Sequence, residues 1–297
     1  MRKLQALGGA AALLAALLLG GCSQTAVPAT PEQAATAAPE ATAEPAPAPS
    51  TNPLTGLDDG DYTGKRPVAV TLRTLDGAQP QWGVASADVL VEGVTEGSTA
   101  GLTAIFADVD SISKVGPVGA GRDLFLQVAL PLNAVPVSID KNIYASNLLN
   151  TLGYQDLDGY HIGKAAFAFD QGRQDAGYRE ENCWYTTGEL IRTGLTNYGA
   201  SAEGDNTPLF RFGTRPEVNP ESRNGMNLTV TFSKTDSEQL NYNTGTGLYE
   251  KLNADGSPMT DADNGQQVGF TNVFVLYASS GIKDDGYTRQ YDMTGGT

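Results

Sequence analysis

Residues 87–107 read ADVLVEGVTEGSTAGLTAIFA, and the fold of this chain is decided in that stretch. Two short runs within it, residues 88–92 and 101–107, are rich in Val, Leu and Ile, which is typical of β-strands. The Glu96-Gly97 pair between them favours a turn. Residues 66–72, which read RPVAVTL, predict a further strand by the same composition.

Helical patterns alternate with strand patterns in the sequence that follows. Apolar residues at helical spacing predict helices over residues 122–130, 142–152 and 187–198, and residues 134–139 predict another strand. Interspersed helices and strands indicate an α+β fold. We therefore expect an α/β sandwich-type domain over residues 54–205.

The character of the chain changes after residue 205. Short β-prone runs predict strands at residues 228–232, 239–243, 247–252, 273–277 and 287–293, with turn signals at 243–247 and 253–256. This pattern favours a small antiparallel β-rich domain over residues 206–297. A strand at residues 287–293 needs a partner, so it either closes the sheet or the natural domain continues beyond Thr297.

The first residues of the chain predict export and lipid attachment. Two basic residues, Arg2 and Lys3, precede an uncharged Ala/Leu-rich run, and the sequence then reads Leu19-Gly20-Gly21-Cys22. This resembles the lipobox of bacterial lipoproteins, in which the cysteine becomes the acylated N-terminus. The alternative is an ordinary signal peptide with a chance cysteine. We expect a signal peptide over residues 1–21, with palmitate or a similar acyl chain on Cys22.

A linker rich in Ala, Pro and Thr follows the lipidation site. Residues 22–53 have no apolar periodicity, which predicts a disordered tether rather than a domain. With the acylated cysteine before it, this tether would hold the body at the extracytoplasmic face of the cell membrane. The membrane is therefore the first predicted partner, through the lipid anchor.

Composition excludes several classes of function. The chain has 34 acidic and 19 basic residues, a net charge of -15, which disfavours a nucleic-acid partner. One histidine and two cysteines exclude a multi-histidine metal site and a disulfide-rich scaffold. We expect no metal and no cofactor. Cys183 stands between polar and aromatic neighbours, and we interpret it as a buried apolar residue rather than a nucleophile.

The order of several short motifs resembles a known family. These motifs are NPLTGL at residues 52–57, RPVAV at 66–70, PQWG at 80–83, ADVLVE at 87–92, GPV at 116–118, Arg122, Tyr249 and NVFV at 272–275. In this order they resemble the YerB-like lipoproteins of Gram-positive bacteria, whose biochemical function is unassigned. The resemblance covers nearly all of residues 52–297 and implies an N-terminal α+β domain and a C-terminal β-rich domain.

The sequence departs from the family pattern at positions that carry polar groups in relatives. The resemblance implies a Thr-Arg pair where this chain has Ala100 and Gly101, an arginine where it has Gly119, and a histidine in the region of Ser138. It also implies further strands after Thr297, so the C-terminus looks truncated. One hypothesis is therefore a degenerate copy that lacks the site of its relatives.

The candidate polar site consists of Asp88, Glu92, Glu96 and Arg122. Spacing by four places the three acids on one strand face about 13 Å apart, too far for a glycosidase pair unless Gly93 bends the strand. The alternatives are a carboxylate-lined groove for a cation or polar ligand and a solvated strand face. Arg122 ends a glycine-rich run without the Lys-Ser/Thr of a phosphate loop, so we expect no nucleotide. A weak anion site there stays open.

His161 is the candidate catalytic residue. It could form a base–orienter pair with Asp158 or Asp156, or it could be a packed surface residue. An alternative function is a hydrolase-like cell-envelope enzyme that uses His161 with Asp88 or Glu92. The leading hypothesis is a non-enzymatic, lipid-anchored extracytoplasmic protein that binds an unknown envelope component or protein.

Overall fold

A strand that is buried on both faces lies in the middle of the main sheet. The computed structural model of the protein describes residues 51–75, 77–212 and 225–291. The sheet contains β1 (Val68–Leu72), β2 (Val89–Glu96), β3 (Thr99–Phe106), β4 (Val135–Ser138) and β5 (Leu157–Asp158), in the order β2-β3-β1-β4-β5. The β2–β3 and β3–β1 pairs are antiparallel, whereas β1–β4 and β4–β5 are parallel.

The composition of β1 explains its central position. All five of its residues are buried, and four of them are apolar, as expected for a strand that is covered on both faces. Val68, Val70 and Leu72 belong to the larger core, which also contains Ile191. Ala69 belongs to a second core on the opposite face, together with Ala129. The sheet is therefore enclosed by helices on both sides.

The three predicted helices are present. They are α1 (Asp123–Ala129), α2 (Ile143–Leu152) and α5 (Gly188–Asn197), and two short helices that the sequence did not suggest are α3 (Gly159–Ile162) and α4 (Gln171–Asp175). The side chains of Asn142 and Thr187 cap α2 and α5 by accepting hydrogen bonds from backbone N–H groups. The short strands β6 (Ala168–Phe169) and β7 (Trp184–Tyr185) form a separate pair.

The C-terminal half is built from antiparallel strands, which confirms the α+β class. A four-stranded sheet contains β8 (Asn227–Thr231), β9 (Ser237–Asn243), β10 (Leu248–Leu252) and β11 (Gly269–Phe270), in the order β11-β10-β9-β8. The predicted turn at residues 243–247 closes with a hydrogen bond from Gly247 N–H to the Asn243 carbonyl. A separate hairpin consists of β12 (Ser280–Ile282) and β13 (Arg289–Tyr291).

One predicted strand is wrong. Residues 273–277 belong to no strand, and no strand of the described residues pairs with them. The strand predicted at residues 287–293 does have a partner, since β13 pairs with β12, although residues 292 and 293 lie outside the described residues. The division at residues 205 and 206 stays a prediction.

The membrane-anchoring segment lies outside the described residues. The signal peptide, Cys22 and all but the last residues of the tether belong to residues 1–50, which the structure does not describe. In the part that it does describe, none of the helices has the length and apolar character needed to cross a membrane.

Asp261 joins the C-terminal half to a loop of the N-terminal half. Its side chain is 1% exposed, and its carboxylate accepts hydrogen bonds from the N–H groups of Gly83 (3.0 Å), Ala85 (2.8 Å) and Asp263 (2.8 Å). In addition, Met259 and Val268 of the C-terminal half pack into the larger core of the N-terminal sheet. The two halves therefore share both apolar packing and charge-assisted hydrogen bonds.

We expect Asp261→Ala to lower the free energy of unfolding by about 3 kcal/mol, because buried N–H groups would lose their acceptor. Urea unfolding of the full-length protein at pH 7 measures this loss. Asp263→Ala is the matched control, since Asp263 is exposed and its side chain accepts a hydrogen bond from Ser113 at the surface. Equal losses in the two variants would show that Asp261 does not join the halves.

Candidate functional site

Charged side chains gather where the strands of the main sheet end. Strands β1, β2 and β4 run in the same direction, so their carboxyl ends meet at one edge of the sheet, the edge where open α/β sheets bind ligands. The C-terminal half packs against this edge. We call the resulting group the charged seam, and it consists of Glu92, Glu96, Arg122, Asp123, Glu238, Lys251 and Lys283.

Lys251 occupies the most deeply buried position of the charged seam. Lys251 is 4% exposed, and its ammonium lies 2.9 Å from the Glu92 carboxylate. The same ammonium also donates a hydrogen bond to Glu238. Burial opposes a charge on Lys251, but the two carboxylates outweigh it and raise the pKa of this lysine. One cation thus bridges acids from β2 and β9, which belong to different halves of the chain.

The carboxyl group of Glu92 has a strongly shifted pKa. Burial raises it from its ordinary value to about 7, the nearby Glu238 carboxylate adds to the rise, and the Lys251 ammonium opposes it. Two carboxylates around one ammonium leave an excess of negative charge in a site with little water. Protonation of Glu92 near neutral pH relieves this excess.

The other members of the charged seam are also paired. Arg122 Nε lies 2.6 Å from the Glu96 carboxylate, and its guanidinium donates to the carbonyls of Ala120 and Gly121. Lys283 lies 2.6 Å from Asp123, the first residue of α1. Because Glu96 neutralises Arg122 and Asp123 is negative, the positive charge on which the predicted anion site depended is already partnered within the protein.

Asp88 lies apart from the charged seam. Its carboxylate accepts hydrogen bonds from Asn52 Nδ2 at 2.9 Å and from Ala107 N–H at 2.8 Å, and burial is the main cause that raises its pKa. These bonds join the start of the body to the end of β3. Asp88 precedes the first residue of β2, and an irregularity between Val94 and Glu96 separates Glu96 from the regular part of the strand. Each of the three predicted acids has different partners.

His161 lies on the surface. It belongs to α3, its side chain is 65% exposed, and its Nε2 lies 3.7 Å from the Asp158 carboxylate. Asp158 is itself occupied by the Lys141 ammonium at 2.7 Å. Burial opposes the charge on Asp158, but hydrogen bonds from Lys141 and two backbone N–H groups outweigh it and lower the pKa of Asp158. The hydrogen-bond partners of Asp88 and Glu92 do not include His161, so the geometry gives the enzyme alternative no support.

The glycines at the departures from the family pattern lie in crowded places. A Cβ atom at Gly119 would lie 2.9 Å from the backbone carbon and oxygen of Leu72, and one at Gly101 would lie 3.0 Å from the ring of Phe125. The Gly119 N–H donates to the Thr71 carbonyl. In this chain both positions therefore accept a side chain only if their neighbours move.

Sequence reasoning missed Lys251, Glu238 and Lys283. A lysine within a strand pattern is normally a solvent-facing residue, and no local signal indicated that Lys251 would be buried. Cys183 is fully buried, as expected for an apolar role, and burial is the main cause that raises the pKa of its thiol. Among the residues that the structure describes, no group of three or more His, Cys, Asp or Glu side chains could hold a metal ion.

The comparisons with known proteins agree on one family. A family model described as "Protein of unknown function (DUF3048) N-terminal domain" matches residues 54–201, and its C-terminal counterpart matches residues 228–297. The chain is 27% identical over 245 residues to a Bacillus subtilis (strain 168) protein with the printed name "Putative lipoprotein YerB", covering 82% of this chain and 72% of that protein.

A solved structure has the same fold. The crystal structure of the YerB protein from Bacillus subtilis superimposes on this chain with a TM-score of 0.70 at 24% sequence identity. The superposition covers 82% of this chain and 80% of the crystallised chain. At this identity the likeness shows the fold alone.

As the pH rises from about 4.5 to about 7, we expect the free energy of unfolding of Glu92→Gln to increase relative to that of the wild type. The raised pKa means that the folded state holds the Glu92 proton, so this contribution to stability is present below the unfolded pKa and is lost as pH rises through the folded pKa. Within that window the difference should grow by about 1.4 kcal/mol per pH unit at most.

Urea unfolding at pH 5, 6, 7 and 8 measures this difference for the full-length protein. The matched control is Glu180→Gln, because Glu180 is an exposed acid in the same chain. The change with pH should be larger for Glu92→Gln than for this control. If the difference in unfolding free energy between Glu92→Gln and the wild type does not change with pH, Glu92 does not hold a proton in the charged seam.

Proposed function

This chain belongs to the DUF3048 family of proteins of unknown function, and we propose that it is a lipid-anchored, non-enzymatic binding protein at the extracytoplasmic face of the bacterial cell membrane. Its partner is a component of the cell envelope or another protein. The anchor and the binding role rest on separate observations.

The anchor is supported by the sequence around Cys22. A basic start, an apolar run and the small residues Gly20 and Gly21 precede this cysteine, and a similar protein carries the name of a lipoprotein. Each buried acyl methylene contributes about 0.8 kcal/mol, so two or more acyl chains give stable attachment. A tether of about 30 residues at roughly 3.1 Å each would let the body reach well away from the membrane.

The binding role is supported by an exposed apolar surface. Phe274, Leu276 and Tyr277 are 62%, 68% and 75% exposed, the ring of Phe210 stacks on Phe274, and the ring of Phe212 lies edge-on to Phe210. We call these five residues the aromatic patch. Contiguous exposed apolar side chains mark interaction sites, because a protein that acts alone gains nothing from leaving them in water. This is the observation that carries the proposal.

The charged groups support binding rather than catalysis. General acid–base chemistry needs a titratable group that reaches a substrate. The carboxylates of Glu92, Glu96 and Asp123 are instead paired with Lys251, Arg122 and Lys283. In this arrangement their charges serve to hold the two halves of the body together.

We expect wild-type protein expressed in a lipoprotein-processing bacterium to incorporate labelled palmitate, and Cys22→Ala to incorporate none and to leave the membrane fraction. Cys183→Ala is the matched control, because it removes the other cysteine, which is fully buried. Its labelling should equal that of the wild type. Equal labelling of wild type and Cys22→Ala would contradict the anchor.

A further inference from the structure

An aspartate of the C-terminal half contacts the hairpin that β2 and β3 form. Asp236 lies in the turn between β8 and β9, and its carboxylate accepts a hydrogen bond of 2.7 Å from the Ala100 N–H group of β3. Two positions later, at the second residue of β9, Glu238 accepts a hydrogen bond from the Lys251 ammonium. The start of β9 therefore carries two acids that take part in the contact with the main sheet.

The buried cluster around Lys251 contains more acids than bases. The side chain of Lys251 is 5% exposed, and those of its two partners, Glu92 and Glu238, are 20% and 22% exposed. When all three groups are ionised, one carboxylate has no counter-charge, and Asp236 adds a further negative charge that acts on Glu92. Because an unbalanced charge in a site with little water is costly, a proton on one carboxylate stabilises the cluster.

The neighbouring elements carry other charged or titratable side chains, which interact with one another or with backbone groups. After burial, which raises the pKa of Glu92 most, the charge of Lys251 lowers this pKa, and those of Glu238 and Asp236 raise it. The other groups are, at the start of α1, Arg122 with Glu96 of β2 and Asp123 with Lys283, and, on β13, Tyr291 with the Val94 carbonyl and Arg289 beside Tyr291.

The C-terminal half has a second attachment to the N-terminal half, with different chemistry. There the carboxylate of Asp261 accepts hydrogen bonds from the backbone N–H groups of Gly83 and Ala85, and Met259 and Val268 pack into the larger core. None of these contacts involves the cluster around Lys251. The charged seam can therefore loosen while the second attachment holds, since folded proteins open locally in separate units.

We propose that the charged seam is a pH-sensitive contact between the two halves, closed in mildly acidic solution and weakened as the pH rises to neutral. In the closed state a proton on Glu92 balances the cluster. When this proton leaves to water, the Glu92 carboxylate repels Glu238 and Asp236, and the hydrogen bond from Ala100 to Asp236 breaks more often. The contact belongs to the folded body, so it does not depend on the lipid anchor or on the aromatic patch.

The direction of the change follows from the burial of Glu92. Burial raises the pKa of its carboxyl group from 4.5 to about 7. A group with a raised pKa stabilises the closed state fully below its ordinary pKa, and this contribution is lost as the pH rises through the raised value. Between these two pH values the ratio of closed to open seam should fall by at most about tenfold per pH unit, and above them it should level off.

Hydrogen exchange at single amides of the full-length protein, in a non-ionic detergent at pH 5, 6, 7 and 8, measures this opening. The intrinsic exchange rate at each pH is divided by the measured rate, which gives a protection factor. We expect the protection of the Ala100 amide to fall by about tenfold or more between pH 5 and pH 7 and to change less above pH 7. At pH 7 it should be about tenfold or more below that of the Val70 amide, because Val70 is fully buried in β1 and exchanges only when the main sheet opens.

Three variants connect this change to the charged seam. Glu92→Gln keeps a hydrogen-bonding side chain without a titratable group, so the protection of Ala100 should lose most of its dependence on pH. Asp236→Ala removes the acceptor of the Ala100 N–H group and should give low protection of this amide at every pH. Glu180→Gln is the matched control, since Glu180 is an exposed acid, and its Ala100 amide should lose protection with pH as in the wild type.

Three results would overturn the pH-sensitive contact. The first is a protection of Ala100 that stays constant between pH 5 and pH 7 in the wild type. The second is the same dependence on pH in Glu92→Gln as in the wild type. The third is equal protection of Ala100 and Val70 at every pH, because both amides would then exchange only through unfolding of the whole body.

Discussion

The body of this protein depends on one buried ammonium group. Lys251 comes from the C-terminal sheet and lies between Glu92 of the N-terminal sheet and Glu238 of its own sheet. A buried ion pair of this kind adds little net stability over an apolar contact, but removal of one partner leaves a charge in a poor solvent. These charges therefore favour one relative position of the two halves, because any other position would separate them.

The sequence predicted the elements that depend on local patterns. Helices α1, α2 and α5 were predicted because their apolar spacing is contained within them, and β1 because its residues are mostly β-branched or apolar. The strand at residues 273–277 was wrong for a physical reason. Side-chain composition sets the tendency to extend, whereas a strand exists only where a second strand supplies hydrogen bonds, and that partner cannot be read from the segment itself.

The only residues of the charged seam that the sequence predicted belong to the N-terminal half. Glu92, Glu96 and Arg122 were identified because acids and a glycine-rich turn at regular spacing are visible in the sequence, and the last two form a pair across 26 positions. Lys251 and Lys283 lie 159 and 160 positions from their partners, so no spacing rule reaches them. Asp88 shares the spacing of the other acids, yet it lies before the start of β2, where its carboxylate accepts a hydrogen bond from Asn52.

The wide separation of Glu92 and Lys251 also bears on how the protein acquires its structure. A chain emerges from its N-terminus, so the first three strands of the main sheet are made long before β10. Until Lys251 is available, the edge of the sheet carries unneutralised carboxylates, and contacts this distant along the chain form slowly. The charged residues of the five-stranded sheet therefore find their last partners only when the C-terminal part of the chain has been synthesised.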